Sequence, residues 1–167
     1  MKRILLAASA MLVGAALAAA SSASADSVNG ASATGTAGVT IFTPITVTQT
    51  QGLDFGAITS GASGTVSIAQ ANGTRSVSGG VGAIAVNVGK AGAFAVNGQS
   101  NAAINVVVGA NITGFSGGIT GTTLASGLPV VLAGTSATFN VGGSLNIPAN
   151  TPAGAYTGSY TVAVNYP

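Results

Sequence analysis

The chain has 167 residues with four basic and two acidic side chains, and it contains no Cys, His or Trp. Both acids are Asp, so the chain has no Glu either. Without imidazole, thiol or a supply of carboxylates, a Ser-His-Asp or Cys-His catalytic arrangement and an ordinary metal site are excluded.

In chain order, Lys2 and Arg3 form a short positive segment, and residues 4–20 form an apolar run rich in Ala and Leu. Ala23-Ser24-Ala25 then supplies small residues. This order predicts a helical signal peptide over residues 1–25, cleaved between Ala25 and Asp26. A membrane anchor is the competing reading. Ser9 and Gly14 inside the run, and the small-residue site where an anchor needs a charged stop, favour cleavage. With no Cys, attachment as a lipoprotein is ruled out, and the cleaved chain is expected not to be an integral membrane protein. Export predicts a place in the periplasm, on the cell surface or outside the cell.

Cleavage removes half of the basic residues and leaves Asp26, Asp54, Arg75 and Lys90, whose charges cancel. Two cations cannot displace enough counterions to bind nucleic acid. Residues 26–38 are almost wholly Ser, Gly, Ala, Thr and Asn, too polar and small to offset their own ordering entropy, and predict a flexible arm. The rest, 39–167, is one domain in size.

Within it apolar residues alternate with period two. Val39 and Ile41, then Ile45 and Val47, predict a first strand that Pro44 places at a sheet edge or bend. Leu53 with Phe55 predict a second strand, and Val66 with Ile68 a third, ahead of a tight turn at Asn72-Gly73. Shorter segments follow at 94–96, 104–108, 112–115, 129–132 and 139–141. The last strand is the most regular: Tyr156, Gly158, Tyr160, Val162, Val164 and Tyr166 share one face. Seven to nine short strands with frequent glycine turns predict an all-β, antiparallel β-sandwich, with a closed barrel as the alternative.

Several short patterns are bland. Gly80-Val81-Gly82-Ala83-Ile84-Ala85 fits a loose dinucleotide fingerprint, but no acid follows Asp54 to hold a ribose, and the stretch reads as a β connection. Asn72-Gly73-Thr74 and Asn111-Ile112-Thr113 are sequon-like and read as turn chemistry. Lys90, between Gly89 and Ala91-Gly92, reads as a solvated loop charge, and Arg75 and Asp54 as a pair or as turn caps. No catalytic, metal-binding or cofactor-binding residue is assigned, and an enzyme is the least favoured class.

Three segments carry a resemblance: 39–48 followed by Gly52-Leu53-Asp54-Phe55-Gly56, Asn72-Gly73-Thr74-Arg75 followed by Gly79-Gly80, and 152–166. Together they resemble a family of small secreted bacterial proteins of unknown function that looks related to spore coat protein U and the chaperone-usher fimbrial subunits. The resemblance implies an immunoglobulin-like sandwich that assembles into surface fibres, by self-association or with other surface subunits. Its implied partners are a periplasmic chaperone and an outer-membrane usher. In β-strand addition, an extended segment of one copy completes the sheet of the next. Val39, Ile41, Ile45 and Val47 are the candidate donor strand, and Tyr156, Tyr160, Val162, Val164 and Tyr166 the candidate groove strand. Residues 39–48 read equally as the domain's own first strand. A monomeric envelope or glycan-binding module is the alternative function. A small outer-membrane barrel is disfavoured by the few aromatics.

Overall fold

The computed structural model describes residues 30–167. The signal sequence, its cleavage position at Ala25 and Asp26, and residues 26–29 of the expected arm lie outside the described residues. Residues 30–39 are exposed and have neither helix nor strand. The unit Thr40–Pro167 holds all the sheet structure described below.

Nine strands run through this unit: β1 (Thr46–Gln51), β2 (Ile58–Ile68), β3 (Arg75–Ala83), β4 (Gly92–Asn97), β5 (Asn105–Val108), β6 (Asn111–Ile112), β7 (Thr120–Leu124), β8 (Ser136–Ile147) and β9 (Val162–Asn165). All strand pairs are antiparallel. The fold is an immunoglobulin-like antiparallel β-sandwich, with β8 as its spine. The first half of β8 pairs with β4, which in turn pairs with β1. Its second half pairs with β2 on one side and β7 on the other. β2 carries β3 as a hairpin, and β6 pairs with β7. β5 pairs with β9 as a separate ribbon.

Alternation along the strands builds the core. In β4, Phe94 and Val96 are buried while Asn97 is exposed. In β8, Phe139, Val141, Leu145 and Ile147 are buried while Thr138, Asn140 and Asn146 face water. Two apolar clusters result. One joins Phe94, Val96, Phe139 and Val141 to Ile104, Leu132, Val106, Val162 and Val164, so that the β5–β9 ribbon covers the β4–β8 face. The Phe94 and Phe139 rings stack there with centroids 5.4 Å apart. The other gathers Val66, Val81, Ile112, Ile119, Leu145 and Ile147 beneath Leu53, Phe55, Phe115 and Tyr156.

The structure corrects several expected elements. Leu53 and Phe55 do not form a strand. Residues 52–57 join a partner strand only through the bridge between Asp54 and Lys90, because Leu53 and Phe55 lie across β8 at Gly143 rather than alongside a neighbour. A Cβ on Gly143 would stand 2.9 Å from the Phe55 ring and 3.0 Å from Leu53. Residues 129–132 likewise form only an isolated bridge, between Ala103 and Val131. The last strand is shorter than its alternation suggested. Four residues make β9, and before it only Ser159 is bridged, to Thr113. Its face pattern holds nonetheless: Tyr156, Tyr160, Val162, Val164 and Tyr166 are partly buried, and 157, 159, 161, 163 and 165 are exposed. The expected turn at Asn72-Gly73 is present, with Gly73 at φ +68° and Asn72 Oδ1 accepting from Thr74 N at 3.0 Å.

Candidate functional site

The site is a groove along the C-terminal strand. β9 has β5 as its strand partner and β1 has β4. No ladder joins β1 to β9 among the described residues, although they run side by side. Upstream of β9, the backbone bonds that residues 156–161 make to other segments among the described residues run to the β5–β6 side: Gly109 N donates to Thr161 O at 2.8 Å, and Thr113 and Ser159 exchange bonds of 2.8 and 2.7 Å. The opposite edge of residues 156–166 therefore lacks a β neighbour among the described residues, and apolar side chains lie open beside it.

Two adjoining hollows make up the groove. A deep one of about 540 Å³ has Leu145, Ile147, Ile112 and Ile119 at its base, residues 53–58 as one wall and 154–160 as the other. A second, of about 400 Å³, continues between Val47, Gln49 and Leu53 on one side and residues 158–162 on the other. Leu53, Gly158 and Tyr160 belong to both. A Cβ on Gly158 would stand 2.6 Å from the Phe115 ring, so a larger residue here would displace that ring from the groove.

The wall at 53–58 is irregular backbone, and Arg75 at the start of β3 fixes it. Its guanidinium donates to the carbonyls of Ala57 (2.9 Å), Asn87 (2.7 Å), Ile84 (2.8 Å) and, more weakly, Phe55 (3.4 Å). Asp54 accepts from Gly56 N at 2.7 Å and from the Asn87 amide at 3.2 Å. Arg75 and Asp54 thus each tie residues 54–57 to Asn87, through separate bonds.

Tyr160 stands between the two hollows, edge-on to Phe94 at 6.1 Å. Burial pushes its phenol above the ordinary value of 10.0, and the Gln49 side chain offsets part of that rise. The hydroxyl itself is buried and meets no partner at hydrogen-bonding geometry among the described residues. Above about pH 10 the unfolded chain ionises first, so the native state holds more protons and stability falls as pH rises toward the folded value. Tyr160→Phe is expected to abolish this alkaline fall. At neutral pH it is expected to leave stability unchanged or raise it by up to about 1 kcal/mol, since no bond is lost. Thermal unfolding of both proteins from about pH 8 to about pH 11 checks this.

The residues singled out in the sequence fall as follows. Tyr156, Tyr160 and Val162 line the groove, whereas Val164 and Tyr166 pack in the neighbouring cluster. Val47 lies in β1, opposite Val96 of the same domain, and lines the groove wall. Ile45 packs against the core. Of the four expected donor positions, Val39 and Ile41 are unburied, 86% and 84% exposed. Residues 46–48 belong to the domain's own first strand. Phe42, not among the expected donor positions, rests on Tyr166 with centroids 5.2 Å apart. The Tyr166 hydroxyl donates to Thr43 O at 2.7 Å, and Gln99 Oε1 accepts from Thr43 N at 3.3 Å. Phe115, Ile119, Leu145 and Ile147 were also missed as site residues. They are adjacent only in space, and no local pattern marks them.

No curated protein and no solved structure matches the chain. The model of a domain of unknown function, DUF4402, matches residues 45–166, from the residue before β1 through the end of the C-terminal strand, and the chain therefore belongs to the DUF4402 family.

Proposed function

We propose that this is an exported structural subunit, of a family related to the fimbrial and spore-coat subunits, and that it assembles on the cell surface by β-strand addition as they do. The observation that carries the reading is the apolar groove along the unladdered edge of residues 156–166. An incoming extended segment would gain main-chain hydrogen bonds from that edge and place alternate side chains in the hollows. The chain supplies a suitable segment. Residues 33–42 are uncharged and present Val39 and Ile41 to water at alternate positions. Ten extended residues span about 33 Å, close to the length of the 156–166 edge.

In this reading the donor is the arm up to Phe42, not Ile45, which packs against the core, nor residues 46–48, which β4 already holds. Periplasmic transit with a chaperone occupying the groove, and delivery through an outer-membrane usher, are the partners it calls for.

The test uses a chain of residues 43–167 and a synthetic peptide of residues 33–42. The peptide is expected to bind with one-to-one stoichiometry in calorimetry and to raise the Tm of the shortened chain. A peptide carrying Val39→Ser and Ile41→Ser is expected to bind at least about tenfold more weakly, each lost side chain being worth ~1.5–3 kcal/mol when buried. Equal binding by both peptides, or none by either, would remove the reading.

A further inference from the structure

The outer face of the β1–β4–β8 sheet carries a second hollow, separate from the groove and made of polar groups. Gln51 of β1 and Asn140 of β8 both pair with Ala93 of β4. A methyl group thus sits between two amide side chains and leaves a dent in the sheet. Asn140 lies between buried Phe139 and Val141, so it faces outward. The Asn72-Gly73 turn and the Gly89-Lys90-Ala91 loop close the dent into a hollow of about 290 Å³. The two pack directly: a Cβ on Gly73 would stand 3.2 Å from Ala91 N. Lys90 is held by its own backbone, its N–H donating to Asp54 O at 2.7 Å and its carbonyl accepting from Asp54 N at 2.9 Å.

The side-chain inventory of the hollow is unusual for so neutral a protein. Asn72 spends its oxygen on Thr74 N and keeps its NH₂ free. Gln51 spends its NH₂ on Ala91 O, at 2.7 Å, and keeps its oxygen. Neither the Asn140 amide nor the Lys90 ammonium has a protein partner among the described residues, and the Asp54 carboxylate is turned to Gly56 and Asn87. The residues lining this hollow of about 290 Å³ therefore offer one cation, two amide donors and two amide acceptors.

We propose that this hollow binds an acidic sugar, a uronate unit of a surface or matrix polysaccharide, with the carboxylate on Lys90 and the ring hydroxyls on Asn72, Asn140 and Gln51. A simple anion would leave the acceptors unused. Hydroxyls, which donate and accept, match the mixed amide set. The hollow presents no aromatic face for stacking, so a single site is expected to be weak, and an array of subunits would gain through avidity. The inference does not depend on strand addition, because the hollow and the groove lie on opposite faces of the β1–β4–β8 sheet.

The test is an NMR titration of the cleaved chain with galacturonate and glucuronate, against galactose, glucose and acetate. The uronates are expected to shift the amides of 71–73, 90–91 and 140 saturably, with the neutral sugars and acetate at least about tenfold weaker. Lys90→Gln is expected to weaken uronate binding about tenfold while leaving the thermal unfolding curve in place. Asn140→Ala is expected to weaken uronate binding and leave acetate unaffected. Acetate binding as well as uronate would reduce the site to an anion contact and overturn the sugar. Undiminished binding by Lys90→Gln, or shifts confined to residues 154–160, would overturn the site itself.

Discussion

Arg75→Ala is expected to destabilise the domain by about 3 kcal/mol and to lower its Tm by roughly 10 °C. The guanidinium meets carbonyl oxygens from two stretches of irregular backbone, residues 55–57 and 84–87, which the Asp54 carboxylate also ties through Gly56 N and the Asn87 amide. Two backbone bonds join them directly, Ile84 N to Ala57 O at 3.0 Å and Ala57 N to Asn87 O at 3.1 Å. Truncation would take the guanidinium donor from four carbonyls, of which Ala57 O and Asn87 O keep one backbone donor each, and partial exposure of Arg75 lets water reach the others, which holds the cost near ~3 kcal/mol. Arg75→Lys is expected to recover less than half of the loss, because a single ammonium nitrogen cannot stand in for the two terminal nitrogens of a rigid planar fork that reach carbonyls lying apart. The consequence reaches the groove, since residues 55–57 are part of its wall. Urea and thermal unfolding of the three proteins check the order wild type, Arg75→Lys, Arg75→Ala. A Tm for the alanine variant equal to wild type would contradict it.

Gly142→Ala is expected to cost about as much, ~3 kcal/mol, for a different reason. β8 passes from β4 to β2 at this residue. A Cβ here would meet the Ile68 carbonyl oxygen in hard contact and stand 2.7 Å from Gln70 N and 3.0 Å from Gln70 Cα. All three neighbours are backbone, so no side chain can swing away, and the end of β2 would have to move off the spine. Gly61→Ala is the matched control. Nothing lies within 4 Å of a Cβ at that position, and the change is expected to fall within about 0.5 kcal/mol of wild type. Denaturant unfolding of both variants measures the difference. A Gly142→Ala variant as stable as Gly61→Ala would mean that the close approach at the corner has little energetic weight.

Local patterning made the all-β class and the inward face of the last strand legible, because a half-buried strand writes its alternation directly into the sequence. Tyr156, Tyr160, Val162, Val164 and Tyr166 show it, and each is partly buried. β3 and β7 left little trace. Arg75–Ala83 has Val77 and Val81 among Ser and Gly, and Thr120–Leu124 has one large apolar residue. Pairing with β2 and β8 makes them strands, and that is a tertiary cause. The opposite error, at Leu53 and Phe55, has the same origin. Two apolar residues in alternation look like a strand, but these two cross β8 where Gly143 leaves room.

The groove was half legible. One wall is the terminal strand, whose face could be read. The base comes from Ile112, Ile119, Leu145 and Ile147, which the fold brings together from distant parts of the chain. Lys90 shows the limit most simply. Its glycine-rich surroundings describe a loop, and nothing local indicates that Asn72, Asn140 and Gln51 surround it.

The central claim, that the edge of residues 156–166 facing β1 receives a strand from another copy, is tested most directly by amide hydrogen exchange on the chain of residues 43–167, alone and with the peptide of residues 33–42. Amides on that edge and along the facing edge of β1 are expected to exchange quickly in the chain alone and to slow strongly when the peptide is present, while the β2–β8 ladder stays protected in both. Protection of residues 156–166 that is already full without the peptide, or that the peptide leaves unchanged, would contradict it.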